Sequence, residues 1–83
     1  MKITFKLYAS LSKYLPENTI DNRVDIEIGP EMSVYDILES HGIPRESVHL
    51  VLKNGVYIHS HDRGAALFVE GDTLALWPPV AGG

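Results

Sequence analysis

The sequence contains no cysteine. That absence excludes a disulfide framework, a thiolate metal site and a thiol nucleophile. Basic residues are scarce, with seven Lys and Arg against eleven Asp and Glu and a formal net charge of −4. Phosphate binding needs a basic footprint, so a nucleic-acid partner is not expected. No apolar run approaches the ~20 residues of a membrane span, and no charged and apolar leader opens the chain. No membrane partner is therefore expected, and the expected location is the cytoplasm. The chain also lacks a Gly-rich phosphate loop and any Ser/His/Asp or Cys/His constellation. No self-contained active site can be read from it, and neither a cofactor nor a metal of its own is expected.

What is present is ordinary for one small globular domain: 83 residues, 45% hydrophobic and 22% charged, enough for a single core. Lys2 to Tyr8 alternates strictly, with Ile3, Phe5 and Leu7 to one side, as a half-buried strand does. Leu11, Tyr14 and Leu15 fall at helical spacing before Pro16 and predict a short helical turn. Glu17 to Arg23 is polar loop, and Val24, Ile26 and Ile28 alternate in a second strand that stops at Gly29-Pro30. Ser33 with Asp36 three residues on is a variant capping box. It predicts a helix over Val34–His41, with Gly42 at a left-handed C-cap.

Val48 to Lys53 alternates as a third strand. Asn54-Gly55 is the strongest short hairpin signal, a type I′ turn with positive φ at both positions. Val56 to His59 returns as a fourth strand, and Ser60 to Ala66 is a mobile loop by composition. Glu70-Gly71-Asp72 forms a turn, and Thr73 to Trp77 is the last strand. A single helix cannot cover both faces of a sheet, so the fold class is α+β in two layers, with helix on one face. A β-grasp roll fits, its mixed sheet having the first and last strands parallel at the centre. Ile3, Phe5, Leu7, Leu74 and Leu76 are the expected core. Thr4, Lys6, His49, Val51, Lys53, Thr73, Ala75 and Trp77 are expected on the other face, with Trp77 and Val51 exposed for partners unless the 60–66 loop covers the indole.

The chain is organised around its last seven residues, Trp77-Pro78-Pro79-Val80-Ala81-Gly82-Gly83. Pro78 and Pro79 cannot donate to a sheet ladder, so they end the strand and favour a stiff extended arm. Residues 1–77 form the domain and 78–83 a flexible tail. Gly82 and Gly83 carry no Cβ and suit a channel too narrow for other residues. Two glycines at the end arise by chance in roughly 0.5% of chains, so chance explains them poorly. The result is a carboxylate presented on a thin arm.

These features resemble the MoaD/ThiS group of ubiquitin-like sulfur carriers nearly end to end. The resemblance rests on Phe5-Lys6-Leu7-Tyr8-Ala9-Ser10-Leu11, Asn54-Gly55, Glu70-Gly71-Asp72 and, most specifically, Pro78-Pro79-Val80-Ala81-Gly82-Gly83, which is closest to MoaD. It implies that an ATP-using adenylating enzyme activates the terminal carboxylate and that Gly83 then bears a thiocarboxylate. It also implies a sulfur acceptor, the large subunit of molybdopterin synthase in the MoaD case. Gly82, Ala81 and Val80 would line that partner's channel, while Pro78-Pro79 set the arm's direction and Trp77 occupies a position that is often aromatic. The segment Glu17–Glu31 and the loop 60–66 are longer than in a minimal MoaD, which leaves open a stand-alone sulfur carrier with another acceptor.

The chemistry of the residues agrees. A carboxylate is a poor electrophile and must be activated, and nothing in this chain binds ATP. Four rival readings share parts of the pattern. The same tail would serve a carrier for another pathway, such as thiamine thiazole, or a protein modifier forming isopeptide bonds. A plain β-grasp interaction module needs no tail chemistry. A metal site could be argued from His59, His61 and Asp62, but the two histidines lie in a polar loop with no third ligand in register.

Overall fold

A computed structural model of the protein describes residues 1–17, 19–65 and 67–79. Five strands and one α-helix follow in chain order: β1 (Lys2–Leu7), β2 (Arg23–Glu27), α1 (Val34–Ser40), β3 (Leu50–Lys53), β4 (Val56–Tyr57) and β5 (Thr73–Trp77). The strands form one sheet in the order β2-β1-β5-β3-β4. β1 and β5 are parallel neighbours, and the other three pairings are antiparallel. The α+β expectation with central parallel strands is met.

Local chemistry explains why the elements start and stop where they do. Ser33 Oγ accepts from the Asp36 N–H at 3.2 Å, and Asp36 Oδ2 accepts from the Ser33 N–H at 2.9 Å. The capping box thus satisfies two donors that a helix start leaves free. Asn54 and Gly55 have φ of 52° and 82°, as a two-residue type I′ hairpin requires. They join β3 to β4 with Lys53 opposite Val56.

The core lies between the sheet and α1. Phe5, Leu7, Leu74, Leu76 and Val51 are wholly buried, and Val34, Ile37 and Leu38 of α1 pack into the same cluster. Burying such a side chain stabilises by roughly 1.5–3 kcal/mol each, relative to exposure.

Two expectations are corrected here. Val51, expected on the outer face, is fully buried opposite Leu76. Leu50 and Leu52 take the outer face instead, opposite Trp77 and Ala75. The run Leu50-Val51-Leu52 is apolar at every position, so alternation carries no phase. In addition, Arg45–Ser47 forms a 3₁₀ turn ahead of the strand. Val48, at its end, is buried from outside the sheet, and the count from Val48 into the strand is thereby broken.

The stretch expected to be a mobile loop contains a 3₁₀ turn, Ser60–Asp62, followed by Arg63, which is only 6% exposed. Arg63 Nε donates to the Ile58 carbonyl at 3.0 Å and Nη2 to the His49 carbonyl at 3.2 Å. A buried cation is tolerable only when its donors are satisfied, and here backbone carbonyls of two segments do so. They tie the described part of the loop to the sheet.

Candidate functional site

The site begins with the way β5 is held. At its start, Asp72 Oδ2 accepts from the Val69 N–H at 2.9 Å and Oδ1 from Asn54 Nδ2 at 2.8 Å. Asn54 Oδ1 in turn accepts from the Thr73 N–H at 2.8 Å. The hairpin tip and the turn before β5 are therefore stitched together. Burial of the Asp72 carboxyl raises its pKa. The hydrogen bonds from Val69 and Asn54, with the nearby Lys53 charge, outweigh that and leave it below the usual carboxylate value.

At its far end β5 is bracketed from both sides. The Tyr8 N–H donates to the Leu76 carbonyl at 3.2 Å, and the His49 N–H to the Trp77 carbonyl at 2.9 Å. Pro78, half-buried, and Pro79, exposed, follow directly and have no N–H to offer. The central strand thus delivers Pro78 and Pro79 to the sheet's end. The expectations for Val80, Ala81, Gly82 and Gly83 lie outside the described residues.

Cross-strand register places the outer face in rows, because directly opposed residues share a face. One row runs Arg23, Lys6, Ala75, Leu52, Tyr57 across all five strands. The next holds Leu50 opposite Trp77, with Tyr8 stacked on the indole at 4.4 Å. Trp77 is half-buried. It lines an open groove with Ala9, Ser10, His49, Leu50, Pro78 and Pro79. The alternative of an indole covered by the 60–66 loop gives way to a Tyr8 partner. Of the expected partner residues, Trp77, Pro78 and Pro79 come together, whereas Val51 belongs to the core.

Sequence reading missed Leu50 and Leu52 on this face. Tyr8 was legible, since it continues the alternation of Thr4 and Lys6. His59 and His61 stack at 5.5 Å, with His61 Nε2 3.4 Å from Asp62 Oδ2. Among the described residues no group of three His, Asp or Glu is placed to hold a metal. No helix there is long and apolar enough to cross a membrane.

A five-stranded mixed sheet, open on one face and backed by a helix on the other, with parallel first and last strands, is the β-grasp or ubiquitin-like roll. The chain belongs to the Mut7-C ubiquitin family, whose model matches residues 1–81. Among solved structures it is similar to SAMP1 from Haloferax volcanii, 26% identical over 100% of both chains with a TM-score of 0.66. It is also similar to the HVO 2177 protein of the same organism, at 23% identity, TM-score 0.76, covering 100% of this chain and 87% of that one. A third likeness is to the Helicobacter pylori complex of subunits 1 and 2 of molybdopterin-converting factor, at 18% identity and TM-score 0.57 over 100% of both chains. The last two likenesses speak for the fold alone. No curated protein matches the chain. Fold and family agree with the ubiquitin-like reading of the sequence.

Proposed function

We propose that the protein is a ubiquitin-like sulfur carrier. In this reading the Gly83 carboxylate attacks the α-phosphorus of ATP on an adenylating partner and pyrophosphate leaves. A sulfur nucleophile then displaces AMP from the acyl carbon, leaving a thiocarboxylate. The arm Val80–Gly83 enters a sulfur acceptor, for which the large subunit of molybdopterin synthase is the first candidate. ATP belongs to the activating partner, and we place the reaction in the cytoplasm.

The observation that carries the reading is the route of β5. The most deeply buried strand ends at Trp77 with its carbonyl still hydrogen-bonded, and the next residues are Pro-Pro-Val-Ala-Gly-Gly. A rigid root and a slim arm suit delivery of an acyl group into another protein's channel. A Helicobacter pylori structure of the same fold holds subunit 1 of molybdopterin-converting factor together with subunit 2, a precedent for this fold meeting a protein partner.

The likeness to a small archaeal modifier protein favours one second reading, in which a lysine amine attacks the same acyl adenylate and an isopeptide bond results. Intact mass of the protein from its native host distinguishes the two. Replacement of one oxygen by sulfur at the C-terminus is expected for the carrier, and conjugates to other proteins for the modifier. A tail found only as the free carboxylate, in cells making molybdopterin, would count against both.

A further inference from the structure

We propose that Asn54 is a deamidation site held in check by its contacts with Asp72 and Thr73, and that its conversion breaks the junction between the hairpin and β5. The inference stands apart from the carrier reading. Asn54 is followed by Gly55, and both are exposed to water. Glycine has no Cβ to shield its amide nitrogen, so this dipeptide suits ring closure between an asparagine side chain and the next backbone nitrogen. Asn18 and Asn22 instead precede the bulkier Thr19 and Arg23. The chemistry needs only water and hydroxide. The Gly55 amide nitrogen gives its proton to hydroxide and attacks the Asn54 side-chain carbonyl carbon. The bond from that carbon to Nδ2 breaks, and Nδ2 takes up a proton and leaves as ammonia. Water then opens the cyclic imide at either carbonyl, leaving aspartate or isoaspartate.

The fold withholds the side chain from that attack. Nδ2 donates to Asp72 Oδ1 at 2.8 Å, and Oδ1 accepts from the Thr73 N–H at 2.8 Å. An ionised carboxylate only accepts and a backbone N–H only donates, so the amide is fixed in this orientation. The Asn54 N–H also donates to the Thr73 carbonyl at 2.8 Å. Closing the imide requires the side chain to turn toward Gly55, and both side-chain bonds must break first. The same contacts make the product disruptive. An oxygen in place of Nδ2 sets one carboxylate against another, acceptor facing acceptor. Asp72 is only 6% exposed, so water screens that repulsion poorly. Isoaspartate lengthens the backbone by one carbon inside a type I′ turn whose two residues match the Lys53–Val56 pairing.

The test incubates the full chain at mildly alkaline pH, folded and in urea, and follows exchange of an amide for a carboxyl by intact mass and peptide mapping. In urea Asn54 should convert ahead of Asn18 and Asn22. In the folded chain it should convert at least about tenfold more slowly, because local opening must come first. Asp72→Ala, compared with its own urea sample, should lose most of that protection. If this variant does not fold, Asp72→Asn serves: its neutral amide accepts more weakly, and a smaller loss in the same direction is expected. Asn54→Asp stands in for the aspartate product and should melt below wild type near neutrality. Facing carboxylates bind protons more readily folded than unfolded, so that gap should narrow below about pH 4. Equal rates folded and in urea overturn the inference, as does full protection in the Asp72 variants. An Asn54→Asp variant as stable as wild type at neutral pH overturns it too.

Discussion

The indole of Trp77 lies flat on the phenol ring of Tyr8, with ring centroids 4.4 Å apart and planes 9° from parallel. The pair joins the last residue of β5 to the residue following β1, at the point where Pro78 takes the chain off the sheet. The end of β5 is thus braced by an aromatic stack. Both rings are half-buried, so each serves the fold and remains available for contact.

Trp77→Ala should accordingly affect two measurements. Loss of a stacked, half-buried ring should cost about 1–2 kcal/mol of stability, less than the ~3–5 kcal/mol of a core aromatic. Affinity for the adenylating partner should fall by at least ~2 kcal/mol, or roughly thirtyfold. Chemical denaturation and binding of the folded fraction separate the two effects. A double-mutant cycle with Tyr8→Ala should return a coupling of about 0.5–1.5 kcal/mol for the stack.

Val51→Ala should behave in the opposite way. Val51 is fully buried, and removing two methyl groups from a packed core costs roughly 1.5–3 kcal/mol. Partner affinity per folded molecule should stay at the wild-type value. An affinity loss with unchanged stability would place Val51 at an interface after all.

Asp72 should make the hairpin–β5 junction acid-sensitive. Its carboxyl pKa is lowered in the folded state: burial, the largest influence, opposes the shift, but the Val69 and Asn54 hydrogen bonds and Lys53 prevail. A depressed folded value gives stability that is fully present above the unfolded pKa of about 3.9 and is lost as pH falls through the folded value. The melting-temperature gap between wild type and Asp72→Asn should be constant near neutrality and narrow below about pH 4. A gap independent of pH down to the folded value would show that the charge of Asp72 contributes nothing.

Ser33→Ala removes the acceptor of the Asp36 N–H and should cost about 1 kcal/mol, within the usual ~0.5–2 kcal/mol for a lost cap. Partner binding should be untouched, because Ser33 lies on the helix side of the sheet. The denaturation midpoint and the partner Kd check both halves of this statement.

Deleting Gly83, or adding one residue after it, should abolish adenylation while leaving the denaturation curve unchanged. The proposed chemistry occurs at that carboxylate, and the core ends at Leu76. Pyrophosphate release in the presence of the partner enzyme is the readout. Activation of the extended protein at the wild-type rate would end the carrier reading.

Short-range chemistry is what the amino-acid sequence determined on its own. Asn54-Gly55 dictates its hairpin because only residues tolerating positive φ fit a type I′ turn. Ser33 and Asp36 mark the start of α1 because helix N–H groups need acceptors. The alternation of β1 places Phe5 inside and Lys6 outside. The parallel neighbourhood of β1 and β5 was also legible, since one helix and five strands leave few ways to bury one face. The facing of β3 was decided only in three dimensions: Leu50, Val51 and Leu52 are equally apolar, and pairing with Leu76 selects Val51 for the core. Arg63 reads locally as a surface residue in a polar loop, yet the Ile58 and His49 carbonyls draw it inside. The row from Arg23 to Tyr57 draws one residue from each of five strands, so its charge pattern exists only once the register of the whole sheet is set.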